Sequence, residues 1–363
     1  MKKNILLFLI TFLITGCEKT DRFIKVLDLS ERNFQKVSLR SNDFVKDWRV
    51  VKLETNENSL VTPYDYIFPA DSVIIVYNYN KIFQFDYSGK FIRELAKYGE
   101  GPDEINGIIN CVTDSKQEYL YLIEHTKPNI IRVYDLKDNS FKKPIPLVSD
   151  NWLTSMYLIN DSEFLCFPQM GTNRQLFYIQ DFYGNLVDRK EKPEIKNEGP
   201  YVDIRLKVMT FNDEWFYQGN YEDTVYNVLS REPVAVFSKG ESARPNDVIS
   251  SKGKEDLVYI NGLFCTSEDY FLSKISYEVK PSAVDGAYEM HTKELRYYIC
   301  NWKEKTTCEI KSIYIEPFDS FFENEDMSGI FRKTSSLNHK KIVISIQDDE
   351  SEDNPTLYIG DLF

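Results

Sequence analysis

Phe83-Gln-Phe-Asp86, followed at once by Tyr87-Ser-Gly89, is a short alternating apolar run that stops at an aspartate and turns. The same phrase returns as Arg132-Val-Tyr-Asp135, and as Tyr178-Ile-Gln-Asp181 with Phe182-Tyr-Gly184. Degenerate copies follow at Thr224-Val-Tyr-Asn227, Tyr298-Ile-Cys-Asn301 and Tyr358-Ile-Gly-Asp361. The intervals between the closing Asp or Asn residues are 49, 46, 46, 74 and 60 residues. Repetition at that spacing is the mark of a radial array of small sheets. Asp suits the position because it hydrogen-bonds nearby backbone, and Gly because it accepts positive φ. Six copies predict six blades.

Each unit reads as four strands. The first runs Asp65–Pro69, Ser72–Asn78, Lys81–Asp86 and Lys90–Ala96. The second runs Ile109–Asp114, Glu118–His125, Ile130–Leu136 and Lys142–Leu147, and the third Ser155–Asn160, Glu163–Gln169, Gln175–Asp181 and Leu186–Lys190. The fourth runs Leu206–Phe211, Glu214–Gly219, Thr224–Val228 and Pro233–Ser238. The fifth offers Gly262–Thr266, Tyr270–Glu278, Glu294–Asn301 and Thr306–Ile310, with a long excursion over Val279–Lys293. The sixth has Ile330–Lys333, Lys341–Gln347 and Pro355–Phe363, one strand short. A circular array closes best when an N-terminal strand completes the last blade. Arg49-Val-Val-Lys-Leu-Glu54 is the first candidate and Phe23–Ser30 the second. The expected fold is therefore an all-β, six-bladed β-propeller closed by an N-terminal strand. A pair of β-sandwiches, the rival architecture, would show no such repeat.

The start of the chain has a different character. Lys2 and Lys3 precede an apolar run of ten, Ile5–Ile14, too short to span a bilayer as a helix. It ends in Ile14-Thr15-Gly16-Cys17, an aliphatic residue, two small residues and a cysteine, the pattern of a bacterial lipobox. The thiol of Cys17 would accept the diacylglycerol, and Glu18 after it favours the outer membrane, facing either the periplasm or the outside. The division is residues 1–16 as signal peptide, 17–48 as lipidated tether and lead-in, and 49–363 as propeller. The full chain of 363 residues carries 44 basic and 57 acidic side chains, a net charge of −13. Without residues 1–16 the charge is −15. Such acidity excludes nucleic acid, which needs a basic footprint, and electrostatic docking on an anionic membrane surface. The membrane contact is the lipid alone.

Apart from Cys17 the chain has Cys111, Cys166, Cys265, Cys300 and Cys308, with no C-x-x-C spacing. The first three sit in apolar runs and read as buried thiols. Cys300 and Cys308 flank a segment symmetric about Glu304, and a hairpin turning there would bring them opposite for a disulfide. His125, His291 and His339 are too few and scattered for a histidine-rich metal site. No zinc-protease, EF-hand, nucleophile-elbow or Walker motif occurs.

The lipobox, Phe85-Asp-Tyr-Ser-Gly-Lys-Phe-Ile-Arg-Glu-Leu95 and the linker Tyr98-Gly-Glu-Gly-Pro-Asp-Glu104 carry a resemblance to a known family. Leu53-Glu-Thr55, Tyr221-Glu-Asp-Thr-Val-Tyr226 and Asp353-Asn-Pro-Thr-Leu357 add to it. The chain resembles the six-bladed β-propeller lipoproteins of Bacteroidota, relatives of NHL-repeat and TolB-like propellers. The resemblance implies a fold and a location, and no activity.

In a propeller the loops between second and third strands share one face with the linkers between blades. That face would gather Tyr79, Lys81, His125, Lys127, Arg174, Tyr221 and Asp223, a mixture suited to a glycan, peptide or protein ligand. The leading expectation is thus a non-catalytic binding module with no cofactor. The acidic run Asp348–Asp353 raises calcium as a further possibility, against a solvated loop. The alternative is a metal-dependent propeller enzyme of lactonase or polysaccharide-lyase type, drawing on Asp203, Glu222, Asp223 and His125 at the central channel.

Overall fold

The computed structural model describes residues 25–30, 34–62, 65–70, 72–114, 116–148, 153–168, 175–191, 206–211, 214–219, 223–238, 257–266, 268–281, 288–301, 303–316, 320–323, 341–346 and 353–363. Cys17, Asp203, Arg174, Tyr221, Glu222, His339, residues 330–333 and the acidic residues 348–352 lie outside them. Among the described residues there is no α-helix, only a 3-10 turn at Ser41–Asp43. No described helix is long and apolar enough to cross a membrane.

The chain is an all-β propeller. Blade 1 lays down Tyr66–Pro69, Val73–Tyr77, Ile82–Asp86 and Phe91–Glu94 in sheet order. Blade 2 follows with Ile108–Thr113, Tyr119–Glu124, Ile130–Asp135 and Ser140–Phe141, and blade 3 with Leu153–Asn160, Glu163–Pro168, Gln175–Asp181 and Leu186–Glu191. Blade 4 uses Leu206–Phe211, Glu214–Gly219, Thr224–Asn227 and Pro233–Ser238. Blade 5 uses Leu257–Cys265, Asp269–Pro281, Tyr288–Asn301 and Thr306–Ile315. A last sheet pairs Lys341–Ile346 with Thr356–Leu362, and Thr356–Leu362 in turn with Val45–Lys52.

Burial explains the sequence pattern. The second strand of blade 1, Val-Ile-Ile-Val-Tyr, is an unbroken apolar run because neighbouring sheets cover both its faces. The outer strand Phe91–Glu94 alternates half-buried and exposed, as an edge must. Apolar clusters fill the spaces between neighbouring sheets. Ile75, Tyr77, Ile108 and Leu122 join blades 1 and 2. Val76, Phe83, Val343 and Leu357 join the last sheet to blade 1, while Phe271, Ile313, Phe44 and Val45 join it to blade 5.

In five of the six copies the Asp or Asn has one local job, closing the turn between third and fourth strands. Asp361, the sixth, lies instead inside Thr356–Leu362, opposite Lys46 and in an ion pair with Lys341. Asp86 Oδ1 accepts from the Ser88 and Lys90 amides, and Asp181 Oδ1 from those of Tyr183 and Asn185, at 2.8–3.1 Å. Asp135 accepts from the Lys137 and Asp138 amides, Asn227 from Leu229 and Ser230, and Asn301 from Lys303 and Glu304. These bonds hold the Asp86, Asp135 and Asp181 carboxyls below the usual carboxylate range. The leading causes are the Ser88 hydroxyl, the Asp138 amide and the Asn185 side chain respectively.

Three expectations are corrected. The lead-in expected over 17–48 holds two strands in its described part: β1 (Lys25–Asp28) adds in parallel to Pro233–Ser238 of blade 4, and β2 (Lys36–Arg40) in parallel to Thr306–Ile315 of blade 5. Strand β3 (Val45–Lys52) then enters the last sheet, so Phe23–Ser30, the second closing candidate, serves blade 4 instead. Leu27 and Leu29 are fully buried, each contributing about 1.5–3 kcal/mol by leaving water. The excursion expected over 279–293 is in its described part a hairpin, with Pro281 opposite Tyr288 and His291 opposite Glu278.

The third correction concerns the disulfide that a symmetric hairpin would have allowed between Cys300 and Cys308. Asn301 pairs with Thr306, which sets Cys300 against Thr307 and Ile299 against Cys308. A one-residue offset puts neighbouring side chains on opposite faces, and both cysteines are free thiols. Cys300 is buried, and burial pushes its thiol up to about 12.

Candidate functional site

The loop between the second and third strands of blade 1 is a tight turn built by Asn78. Its Oδ1 accepts from the Asn80 and Lys81 amides, both at 3.0 Å, and its Nδ2 donates to Asp65 at 3.3 Å. The turn throws Tyr79 outward, 54% exposed. Tyr66 stacks on Tyr77 beside it, ring centroids 5.1 Å apart, and Tyr98 on the departing linker is exposed too. The exposed rings of Tyr66, Tyr79 and Tyr98, with buried Tyr77 under the first, thus share the loop end of blade 1.

The linker from blade 1 to blade 2 is held in place residue by residue. Lys97–Tyr98 pairs in parallel with Glu104–Ile105, and Glu104 Oε2 accepts from the Gly101 amide at 2.9 Å. The Ile108 amide donates to the Tyr79 carbonyl at 2.8 Å, and the His125 amide to the Gly107 carbonyl at 2.7 Å. Gly107 has φ +76°, a conformation that favours glycine. A Cβ there would fall 2.9 Å from Tyr79 Oη and 3.0 Å from His125 Cβ. Glycine is what lets Tyr79 and His125 stand side by side.

Beneath them lies a buried ion cluster. The Glu124 carboxylate, fully buried, meets Arg132 Nη1 at 3.0 Å and Lys127 Nζ at 3.6 Å. Arg132 also donates to the Glu104 and Pro102 carbonyls, and its guanidinium sits 3.5 Å over the Phe141 ring. Lys127 Nζ lies 3.4 Å from the Glu104 carbonyl. Two nearby cations therefore hold the linker.

The expected site residues fare unequally. Tyr79, His125 and Lys127 come together around the linker, with Lys81 at the far side of the Tyr79 turn, its Nζ 5.6 Å over the Phe83 ring. Lys127 is part of the support. Asp223 belongs to blade 4, where its carbonyl accepts from the Phe237 amide at 2.7 Å. Glu124, Arg132 and Gly107 were not among the expected residues. Arg132 announced itself only as a charge in the middle of Ile130-Ile-Arg-Val-Tyr-Asp135, a strand otherwise apolar up to its closing Asp. Among the described residues no three His, Cys, Asp or Glu side chains converge as metal ligands would.

No curated protein matches the chain. Among solved structures it is similar to a Bacteroides fragilis protein described as a "Putative exported protein", with TM-score 0.61, 15% identity, and 94% of this chain and 99% of that one covered. It is also similar to the β-propeller domain of Myceliophteria thermophila Cps50 (Swd1), at TM-score 0.38 and 7% identity over 85% of this chain and 99% of that one. Residues 24–361 match the family described as Domain of unknown function (DUF4934), and the chain belongs to that family.

Proposed function

We propose that this chain is an exported, lipid-anchored propeller of the cell envelope that binds a ligand without transforming it, taking a glycan on the loop end of blades 1 and 2. One observation carries the reading: exposed Tyr79 and His125 are set side by side against a linker whose backbone bonds to both and whose own hydrogen bonds fix it. Flat, exposed tyrosine rings suit the apolar faces of sugars, and a fixed backbone lowers the ordering cost of binding. The three-stranded sheet acts as the sixth blade, closed by β3. The apolar clusters on both its flanks support that count.

The Lys2–Ile14 leader and Cys17 support export and lipidation, and the exported description of the Bacteroides fragilis protein agrees. The outer membrane is the proposed station. Replacing Tyr79 and His125 together by Ala should lower glycan affinity tenfold or more in a glycan-array and calorimetric assay, with thermal stability kept. Unchanged affinity would overturn the site. Loss of lipid labelling in Cys17→Ala tests the anchor separately.

A further inference from the structure

Strand β1 opens the N-terminal strap and fixes where the preceding chain leaves the propeller. It runs parallel to Pro233–Ser238, with Lys25 on Ala235 and Asp28 on Ser238. Pro233–Ser238 itself rises from the turn closed by Asn227, whose amide donates to the Glu232 carbonyl at 3.0 Å. Lys25 therefore sits at the turn end of blade 4 and Asp28 at the loop end. Tyr79 and His125 also stand at the loop end, where second strands pass to third. Cys17 lies eight residues before Lys25, a reach of at most about 28 Å. A lipid on Cys17 would hold the turn end of blade 4 close to its leaflet.

Exposed apolar side chains gather at that same corner. Arg231, in the turn, pairs with Asp188 on the outer strand of blade 3, so the two blades meet there. Leu229, two residues before Arg231, and Val187, next to Asp188, are both exposed. Tyr183, in the turn that leads into that outer strand, is 84% exposed, the most of any large hydrophobic among the described residues. Val26 is exposed on β1, and because Leu27 drops into the cleft with blade 5, Val26 turns to the side of blade 3. Single exposed apolar residues are ordinary, but four drawn from two neighbouring blades make an interaction surface, and tyrosine suits the membrane interface.

We propose that this corner, formed by Tyr183, Val187, Leu229 and Val26, rests on the leaflet that holds the Cys17 lipid, so that the loop end faces away from the membrane. The inference rests on the Cys17 anchor proposed above. An anchor limits distance and leaves rotation free, whereas an apolar corner beside its exit selects one orientation. The contact is apolar because the acidic chain gains nothing from an anionic surface.

The test uses the full lipidated chain in vesicles of phosphatidylcholine and phosphatidylethanolamine. A Cys308→Ser background removes the half-buried thiol, the other described cysteines being buried. Ser230→Cys, exposed beside Leu229, and Tyr98→Cys, exposed at the loop end, each carry a nitrobenzoxadiazole label. Spin-labelled phosphatidylcholine should quench the first label several-fold more than the second. Replacing Tyr183, Val187 and Leu229 together by Ser should remove most of that difference while the chain still floats with the vesicles. Ile92→Ser, exposed on blade 1, should leave it unchanged. Equal quenching at the two labels, or a difference that survives the triple replacement, would overturn the docking corner and leave the anchor standing. A Ser230→Cys label that responds to protein concentration without vesicles and is not quenched in them would give the corner to a second copy, and overturn the proposal too. Chains that fail to float would overturn the anchor itself, and this inference with it.

Discussion

The junction between blades 1 and 2 and the junction between blades 4 and 5 hold neighbouring sheets together by different chemistry. The first adds to its apolar packing a buried ion cluster, Glu124, Arg132 and Lys127, which fastens a linker of irregular backbone. The second is wedged by Leu27, Leu29 and Phe34, apolar residues brought from the N-terminal strap. Phe34 meets Tyr298 edge to face at 5.1 Å. Polar pins are directional and set loop positions, which a binding face needs. Apolar wedges are non-directional, and they fasten sheet to sheet without fixing the position of a loop.

The comparison breaks most visibly at Arg132. Arg132→Met leaves the Glu124 charge buried without its closest partner and should cost about 3–5 kcal/mol in urea unfolding. Adding Glu124→Gln should recover much of that loss, which a purely steric defect would not.

At the other junction, Leu27→Ala or Leu29→Ala should each cost about 2–5 kcal/mol. Ile92→Ala, on the exposed outer strand of blade 1, should stay within about 0.5 kcal/mol of the parent. Similar losses at Leu27 and Ile92 would mean that the strap adds nothing to blade 4.

Asn354 tests a third kind of joint. Its Oδ1 accepts from the Val61 amide at 2.8 Å, and its Nδ2 donates to the Glu54 and Ser59 carbonyls at 2.7 and 2.6 Å. Asn354→Ala should cost about 1–3 kcal/mol by orphaning buried backbone groups. A melt of the variant against the parent measures it.

The smallest effect concerns acid. Asp86, Asp135 and Asp181 have depressed carboxyl values in the folded chain, so their stabilisation is full above the ordinary carboxylate range and fades as pH falls through the depressed values. Asn227 and Asn301 close the same turns in blades 4 and 5 without a titrating group. Replacing the three aspartates by Asn should flatten the acid limb of a pH–stability curve, with little change at neutral pH.

Much of this was legible locally. Five of the six repeated Asp and Asn residues marked turns that the structure builds from bonds spanning two to four residues, Asp361 being the exception, and the strands of blades 1 to 4 lie within a few residues of their expected places. The candidate Arg49–Glu54 overlaps the β3 that pairs with the last strand. Cys300 and Cys308 show where local reading stops. Asn301 closes its turn one register step away from symmetry, and that step turns the two thiols to opposite faces. Tyr79 and His125 were visible as loop residues, whereas Arg132 gained its meaning only when the Pro102 and Glu104 carbonyls arrived beside it.

The sequence by itself determined where strands end and turn, because Asp, Asn and Gly act on backbone within a few residues of themselves. It determined the acidic balance and the paired periodicities of covered and edge strands as well. Only the tertiary structure decided which edge each N-terminal strand would join. The N–H and C=O groups along an edge are alike on every blade, so the choice rests on side chains far away in sequence: Phe237 and Tyr270 for Leu27, and Val343 and Leu357 for the sheet that β3 joins.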